Sequence, residues 1–324
     1  MPVGIFSKGI IKTVPYLEVF LQDKVIYNPK TSDGLTAIAG WGYKPTSRKA
    51  REKALEWNLP YLALEDGFIR SVGLGFEEPP LSLIVDPVGI YYDATKPSLL
   101  ENIINSGKIG KNENLLEAGE FALEVILKNK ISKYNNGAPV PKDYFPKTDK
   151  ARILLVDQTF EDMSVKLGLA DEKSFIKMVD YVVKNYSNGD IYVKLHPETI
   201  KGRKKGYLSQ MKLPKSFKVI RGNFNPLDLL KYFDIICTVS SQIGFEALLL
   251  GKEVICFGMP FYAGWGLTKD MLFCERRNAR PTILQLFTAC YLVYPKYINP
   301  HEKKLGDIFD VLEYMVAKIK EKQK

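Results

Sequence analysis

The sequence predicts an α/β protein made of two Rossmann-like domains facing a central cleft, and three observations carry that prediction. Short apolar segments alternate with helical ones along most of the chain, the rhythm of helices layered on largely parallel sheets. The rhythm stops once, over Asn135–Lys150 (NNGAPVPKDYFPKTDK), where three prolines and a glycine interrupt any apolar period. It then restarts, and 324 residues suit two domains of roughly 150 each. Domains are therefore expected over 1–145 and 150–300, with a C-terminal helix in 301–324 that crosses back to the first.

In the first half, Ala37–Gly40 and Tyr61–Leu64 read as buried strands. Between them SRKAREKALEW (Ser47–Trp57) reads as a helix with Ala50, Ala54 and Trp57 on one face. Leu81–Val85 and Gly89–Tyr92 read as further strands separated by an Asp86-Pro87 turn, and Leu115–Leu127 as an amphipathic helix. The second half gives strands at Ile153–Val156, Ile191–Leu195, Phe217–Ile220, Ile235–Val239 and Val254–Phe257. Helices are expected at Glu172–Lys184, Pro226–Tyr232 and Gly244–Leu250, with a last one over roughly Leu305–Lys320.

With 46% hydrophobic and 26% charged residues the composition is that of a globular protein, and disorder is expected only toward the Lys-rich end, Lys318–Lys324. No run nears the roughly 18 apolar residues of a spanning helix, and no leader precedes the chain, which points to the cytoplasm. Cys237, Cys256, Cys274 and Cys290 show no CxxC spacing and read as buried free thiols. With two histidines in the chain, a zinc site is not expected. The net charge of +9 suits anionic partners or simply a solvated basic surface.

Polar clusters stand where buried strands end, the place where α/β sheets bind ligands. Glu65-Asp66-Gly67 offers adjacent carboxylates able to raise one another's pKa for acid–base work, or an ordinary turn. Arg70, Ser71 and a glycine-rich loop to Gly75 follow it. Lys194-Leu195-His196-Pro197 puts a histidine and a lysine where a phosphate could be held, or where the histidine merely caps a turn. Ser240-Ser241 opens a helix, giving an anion site or a plain N-cap. Asp157-Gln158-Thr159-Phe160-Glu161-Asp162 carries three carboxylates suited to an oxocarbenium-like transition state, or to solvent. CFGMPFYAGWG (Cys256–Gly266) reads as a pocket wall or as core.

The order of these motifs, EDG then HP then SS across two Rossmann-like halves, resembles bacterial CMP-sugar transferases of the GT-B type. GWGYKP (Gly40–Pro45), LEDGFIRSVGLG (Leu64–Gly75), VDQTFEDMS (Val156–Ser164), VKLHPE (Val193–Glu198), TVSSQIGFEALLLGK (Thr238–Lys252) and CFGMPFYAGWGLT (Cys256–Thr268) narrow the resemblance to KpsC-type capsule β-Kdo transferases. VDQTFEDMS and SKYN (Ser132–Asn135) are more similar to the N-terminal module of that family. The resemblance implies retaining transfer of β-Kdo from CMP-β-Kdo to a Kdo-bearing glycolipid primer, through a β-(2→4) linkage and a covalent sugar–aspartate adduct. It implies that the first domain reads the acceptor and the second holds the donor.

On this chain the resemblance gives Asp162 as nucleophile, with Asp157 as the fallback, and Glu65 as acid/base supported by Asp66. His196, Pro197, Ser240, Ser241, Gln158 and Lys194 fall to the donor. Arg70, Ser71 and Gly42 fall to the acceptor, and Lys204 or Lys205 could pair with Kdo carboxylates. No metal and no cofactor beyond the CMP-β-Kdo substrate is implied. Expected partners are the glycolipid acceptor and other capsule-assembly proteins, with association at the cytoplasmic face of the inner membrane and no nucleic acid. KpsC proteins carry two such modules, and this chain holds one. The rival readings are a sialyltransferase-like enzyme using another CMP-activated ulosonic acid, and a non-catalytic basic module for anionic lipid or nucleic acid, which carries no recognised nucleic-acid motif.

Overall fold

The computed structural model describes residues 2–73 and 78–322, so Leu74 and Gly75 of the glycine-rich loop, and Gln323 and Lys324 of the Lys-rich end, lie outside the described residues. The chain forms two compact units: Met1–Ile90 with Pro97–Asn136 and Leu284–Lys324, and Tyr91–Lys96 with Gly137–Ile283.

The first unit begins with β1 (Val3–Ile5), α1 (Lys8–Thr13), α2 (Leu17–Leu21) and β2 (Val25–Tyr27), followed by β3 (Ala37–Trp41), α3 (Arg48–Glu56), β4 (Tyr61–Asp66) and β5 (Ser82–Asp86). Strands β2, β1, β3 and β4 pair in parallel, in that order across the sheet. The run AIAG of β3 is buried on both faces, as a central parallel strand must be. Helix α3 packs Ala50 and Ala54 against it. Two further helices, α4 (Leu99–Asn105) and α5 (Glu113–Asn129), are capped by Ser98 and Asn112, whose side chains accept from the Glu101 and Leu115 N–H groups.

Gly89–Tyr92 is not a strand but turn and coil. The buried Asp86 carboxylate takes the N–H groups of Val88 and Gly89 at 2.8 Å each, and that of Leu99 at 3.0 Å. Those donors are thereby withdrawn from any ladder, and Tyr294 Oη donates to the same carboxylate at 2.7 Å.

The second unit holds β6 (Arg152–Val156), α6 (Met163–Lys166), α7 (Glu172–Asn185), β7 (Asp190–Lys194), α8 (Pro197–Ile200), β8 (Lys218–Ile220), α9 (Pro226–Leu230), β9 (Ile235–Thr238), α10 (Gln242–Leu249), β10 (Glu253–Cys256) and β11 (Lys269–Asp270). All six strands are parallel, ordered β8-β7-β6-β9-β10-β11. Numbered within the unit this is 3-2-1-4-5-6, the doubly wound order whose direction reverses between β6 and β9. The apolar run of β6 and the capping box of α7 (Asp171 and Ser174) show why these segments form where they do.

Asn135–Lys150 carries no regular element, yet from Gly137 onward, inside the stretch 1–145 expected for the first unit, it is strapped onto the second. Ala138 exchanges backbone hydrogen bonds with Asn223 and Asn225, and Val140 N–H donates to Asp228 Oδ2 at 2.7 Å. Phe145 is buried against Tyr192, Tyr232 and Phe233. The prolines prevent a helix but not docking.

The chain closes through α11 (Ile283–Thr288), a π-helical turn at Ala289–Val293, β12 (Pro295–Ile298), β13 (Leu305–Gly306) and α12 (Ile308–Lys322). Strand β12 pairs antiparallel with β5 and with β13. That pairing returns the chain to the first unit from Leu284, not from 301, and makes the far side of that sheet antiparallel. Helix α12 lies on α5 within the same unit, with Phe121 and Phe309 in ring contact at 5.8 Å. No described helix is long and apolar enough to cross a membrane, and all four cysteines are buried and free.

Candidate functional site

At a reversal of strand order, the loops leaving the two flanking strands diverge and open a crevice at their carboxyl ends. In the second unit those loops follow Val156 and Thr238. The structure brings the QTFEDMS and SS motifs together there. Gln158 Nε2 donates to Ser240 Oγ at 3.0 Å and to Ser164 Oγ at 3.3 Å, and Gln158 Oε1 accepts from the Ser240 N–H at 2.8 Å. The Ser164 and Ser240 hydroxyls lie 3.1 Å apart. Ser241 caps α10 by accepting from the Ile243 N–H at 3.3 Å, while its carbonyl accepts from Tyr262 Oη at 2.6 Å.

The two candidate aspartates differ. Asp157 is buried and accepts from the backbone N–H groups of Gln158, Leu208 and Ser209 at 2.9, 2.8 and 3.3 Å. Gly206 lets the loop come this close, since a β-carbon there would lie 2.1 Å from Asp157 Oδ2. Burial outweighs those donors and pushes its carboxyl up to about 6. Asp157 is an anchor for the 205–209 loop. Asp162 is half-buried and caps α6, Oδ1 accepting from the Ser164 N–H at 2.9 Å. Its other oxygen takes no hydrogen bond among the described residues, which leaves a lone pair available for chemistry.

Lys194 ends β7 at 8% exposure. Among the described residues its ammonium makes no hydrogen bond or ion pair. Burial lowers its pKa to about 8, against the attraction of Glu246 and Asp157. His196 caps α8 through Nδ1, which accepts from the Glu198 N–H at 3.2 Å, and Pro197 occupies the first turn of that helix. An Nδ1 that accepts carries no proton, so the neutral ring bears it on Nε2. Burial and then the Lys194 charge lower the histidine's pKa, while Asp162 raises it. The site thus offers a cation, an imidazole N–H and serine hydroxyls beside a carboxylate, a set fitted to an anionic leaving group.

The first unit holds a second cluster at the end of β4. Glu65 accepts from Trp41 Nε1 at 3.0 Å, and burial raises its pKa despite nearby Lys44 and Lys133. Asp66 is ion-paired with Arg70, Nε to Oδ1 at 2.8 Å, and accepts from Tyr134 Oη at 3.4 Å. Arg70 also donates to Ser71 Oγ and the Glu78 carbonyl, and Ser71 Oγ donates to the Gly73 carbonyl. Both are therefore committed to the fold of this loop. Gly42, at φ +48°, turns the chain after β3, where its carbonyl accepts from Tyr61 Oη and Ser47 Oγ. Lys204 and Lys205 are exposed.

CFGMPFYAGWG is core. Phe261, Tyr262 and Trp265 are buried, and Arg277 stacks on Trp265 while donating to the Ala263 carbonyl at 2.6 Å. Its contribution to the site is indirect, through Tyr262 holding Ser241. Sequence reading missed Ser164, Trp41, Tyr134 and Glu246. Ser164, Trp41 and Tyr134 stand inside the motifs VDQTFEDMS, GWGYKP and SKYN without having been singled out, and Glu246 is a lone carboxylate inside the apolar run GFEALLL. Among the described residues, no group of three or more His, Cys, Asp or Glu side chains could hold a metal ion.

A two-sheet α/β chain with such a crevice belongs to a broad class. A model of the family described as capsule polysaccharide biosynthesis protein matches residues 36–299, and the chain belongs to that family. Within it, the resemblance expected from the motifs holds. A solved structure of Thermosulfurimonas dismutans KpsC, a beta Kdo 2,4 transferase, is 63% identical, covers 98% of both chains and has a TM-score of 0.94. The beta Kdo 2,7 transferase of the same KpsC is 30% identical over 98% of both, with a TM-score of 0.75. The capsule polysaccharide modification protein LipA of Neisseria meningitidis serogroup A is 41% identical over 321 residues, 96% of this chain and 45% of LipA. The chain therefore spans about half the length of that relative.

Proposed function

We propose that this chain is a retaining glycosyltransferase that moves β-Kdo from CMP-β-Kdo onto a Kdo-terminated glycolipid primer of a capsule polysaccharide, forming a β-(2→4) bond. The observation that carries the reading is the half-buried Asp162, with one oxygen free, electrostatically coupled to His196 in the second unit. The likeness to a beta Kdo 2,4 transferase at 63% identity supports the substrate.

In the first step an Asp162 oxygen attacks the anomeric carbon of Kdo, and the bond from that carbon to the phosphate oxygen breaks. CMP departs with the electron pair. Its growing charge meets the Lys194 ammonium, the His196 Nε2–H and the Ser240 and Ser241 hydroxyls, so no metal is required by this account. In the second step the acceptor hydroxyl attacks the same carbon, its proton passes to a general base, and the Asp162 carboxylate is released. Two inversions give net retention. A Glu65 pKa raised by burial suits a base that must take a proton and give it up again. Asp66 and Arg70 position it through the loop they brace.

The test is CMP release measured with CMP-Kdo and with CMP-sialic acid, in the presence of a Kdo-terminated acceptor. Turnover with CMP-Kdo alone is expected. Preference for CMP-sialic acid would install the sialyltransferase-like reading instead.

A further inference from the structure

The loop that carries Asp162 is held by more contacts than a cap for α6 needs. The Thr159 carbonyl accepts from the Asp162 N–H at 3.3 Å, closing a turn with Phe160 and Glu161 at its tip. Glu161 adopts φ +64° at the third position of that turn, where glycine or asparagine is the usual occupant. A glutamate persists there only where the surrounding structure holds it. The 205–209 loop supplies the hold. Thr159 pairs antiparallel with Gly206. The Phe160 N–H donates to the Lys205 carbonyl at 2.9 Å, and the Tyr207 N–H to the Gln158 carbonyl at 3.0 Å.

The side chain of Tyr207 adds to that pairing. Its ring lies 4.3 Å from the ring of Phe175 at 9°, and 4.4 Å from the ring of Phe160 at 20°, so the three stack in a column. Phe175, on α7, is fully buried, whereas Phe160 is 37% exposed. A ring that open gains little from burial, but stacked on an anchored neighbour it is fixed in direction. Burial raises the pKa of the Tyr207 hydroxyl and a hydrogen bond from the Glu161 backbone lowers it, so the hydroxyl meets the N–H of the turn's third residue. One side chain thus touches both residues at the tip. Its own loop is anchored by the buried Asp157 carboxylate through the N–H groups of Leu208 and Ser209. The contacts run from the core of the unit to the backbone of Asp162, one residue beyond the tip.

We infer that Tyr207 is a positioning residue for the proposed transfer: with Phe160 it locks the turn 159–162 and so fixes the direction in which the free Asp162 oxygen points. The inference rests on the reading of Asp162 as the group that takes the sugar, for which a misplacement of about 1 Å costs roughly 100-fold in rate. The test uses Tyr207→Leu, Tyr207→Phe and Phe160→Ala in the whole chain. Two readouts serve it: steady-state kinetics with CMP-Kdo, and deuterium uptake of peptides spanning 157–163. Without the column, Tyr207→Leu and Phe160→Ala should each lose roughly 10-fold in kcat while KM for CMP-Kdo stays the same, and exchange over 157–163 should quicken. Tyr207→Phe keeps the rings and gives up only the hydroxyl, so it should retain about a third of the parent's kcat. Phe160→Ala trims an exposed side chain and reports even if Tyr207→Leu does not fold. Unchanged kcat in Phe160→Ala overturns the inference, and a raised KM beside it would make the ring a contact of the donor instead. Exchange as slow as the parent's overturns it too. So does a Tyr207→Phe variant as slow as Tyr207→Leu, because the hydroxyl would then have a direct part in the chemistry. A parent that turns over no CMP-Kdo sinks the transferase reading, and deuterium uptake still decides whether Tyr207 locks the turn.

Discussion

Replacing Lys194 by methionine should make the protein more stable and less able to hold its donor. The lysine ends a central strand with no partner for its ammonium among the described residues, and its pKa falls from 10.5 to about 8. That difference corresponds to about 3 kcal/mol by which folding disfavours the charged form, net of the pull of Glu246 and Asp157. Below pH 8 the lysine is charged in both the folded and unfolded chain, and the cost is fully present. Between about 8 and 10.5 the unfolded chain keeps a proton that the folded one has released, so stability rises with pH through this window and the cost is gone above it. Methionine fills similar volume without the charge. At pH 7 the variant should gain up to about 3 kcal/mol, raising the midpoint of thermal unfolding by roughly 4 °C, and its advantage should vanish above pH 10.5. The same substitution removes the cation proposed for the leaving phosphate, so the rise in midpoint that CMP should give the parent should be lost. Thermal unfolding from pH 7 to 10.5, with and without CMP, reads both effects. A variant less stable than the parent at pH 7, or one that CMP stabilises equally, would refute the reasoning.

Other consequences can be measured separately. Asp162→Asn keeps a side chain able to cap α6, so unfolding should be unchanged while turnover with CMP-Kdo falls on the order of 10⁴-fold. Trp41→Phe removes the hydrogen bond to Glu65; with one donor fewer the carboxylate is harder to keep ionised, and the acid limb of the pH–rate profile should move up by roughly one pH unit. Gly206→Ala sets a methyl 2.1 Å from Asp157 Oδ2, which should destabilise the protein by about 1–3 kcal/mol in urea denaturation.

Where sequence and structure part company, the reasons are local. The long apolar runs AIAG and ILLV stand out in any sequence, because a strand buried on both faces allows no polar residue. Three-residue strands such as Val3–Ile5 and Val25–Tyr27 are too short to display a period, so the start of the first sheet was invisible. The strand expected at Gly89–Tyr92 failed because its apolar letters cannot reveal that Asp86 has claimed the neighbouring N–H groups. β12 was missed because its partner, β5, lies some two hundred residues earlier (Ser82–Tyr297 in register), a pairing no local pattern encodes.

The site was legible as a set of motifs, to which the family resemblance attached roles, with Asp162 ahead of Asp157 as nucleophile. What the letters of VDQTFEDMS do not show is how the surroundings of those two aspartates differ. The distinction depends on backbone donors of Leu208 and Ser209, supplied by a loop fifty residues away, and on the close approach that Gly206 permits. Arg70, a natural candidate for a sugar carboxylate, is held by Asp66, which sits in the same motif and so hid its own effect.

The central claim is that Asp162 carries the sugar between donor and acceptor. Its most direct test is intact-mass spectrometry of the Glu65→Gln variant, slowed in the second step, after incubation with CMP-Kdo and acceptor. The account predicts a mass increase of one Kdo residue, mapped by peptide sequencing to Asp162. Turnover without any adduct, or an adduct on Asp157 or another side chain, would contradict it.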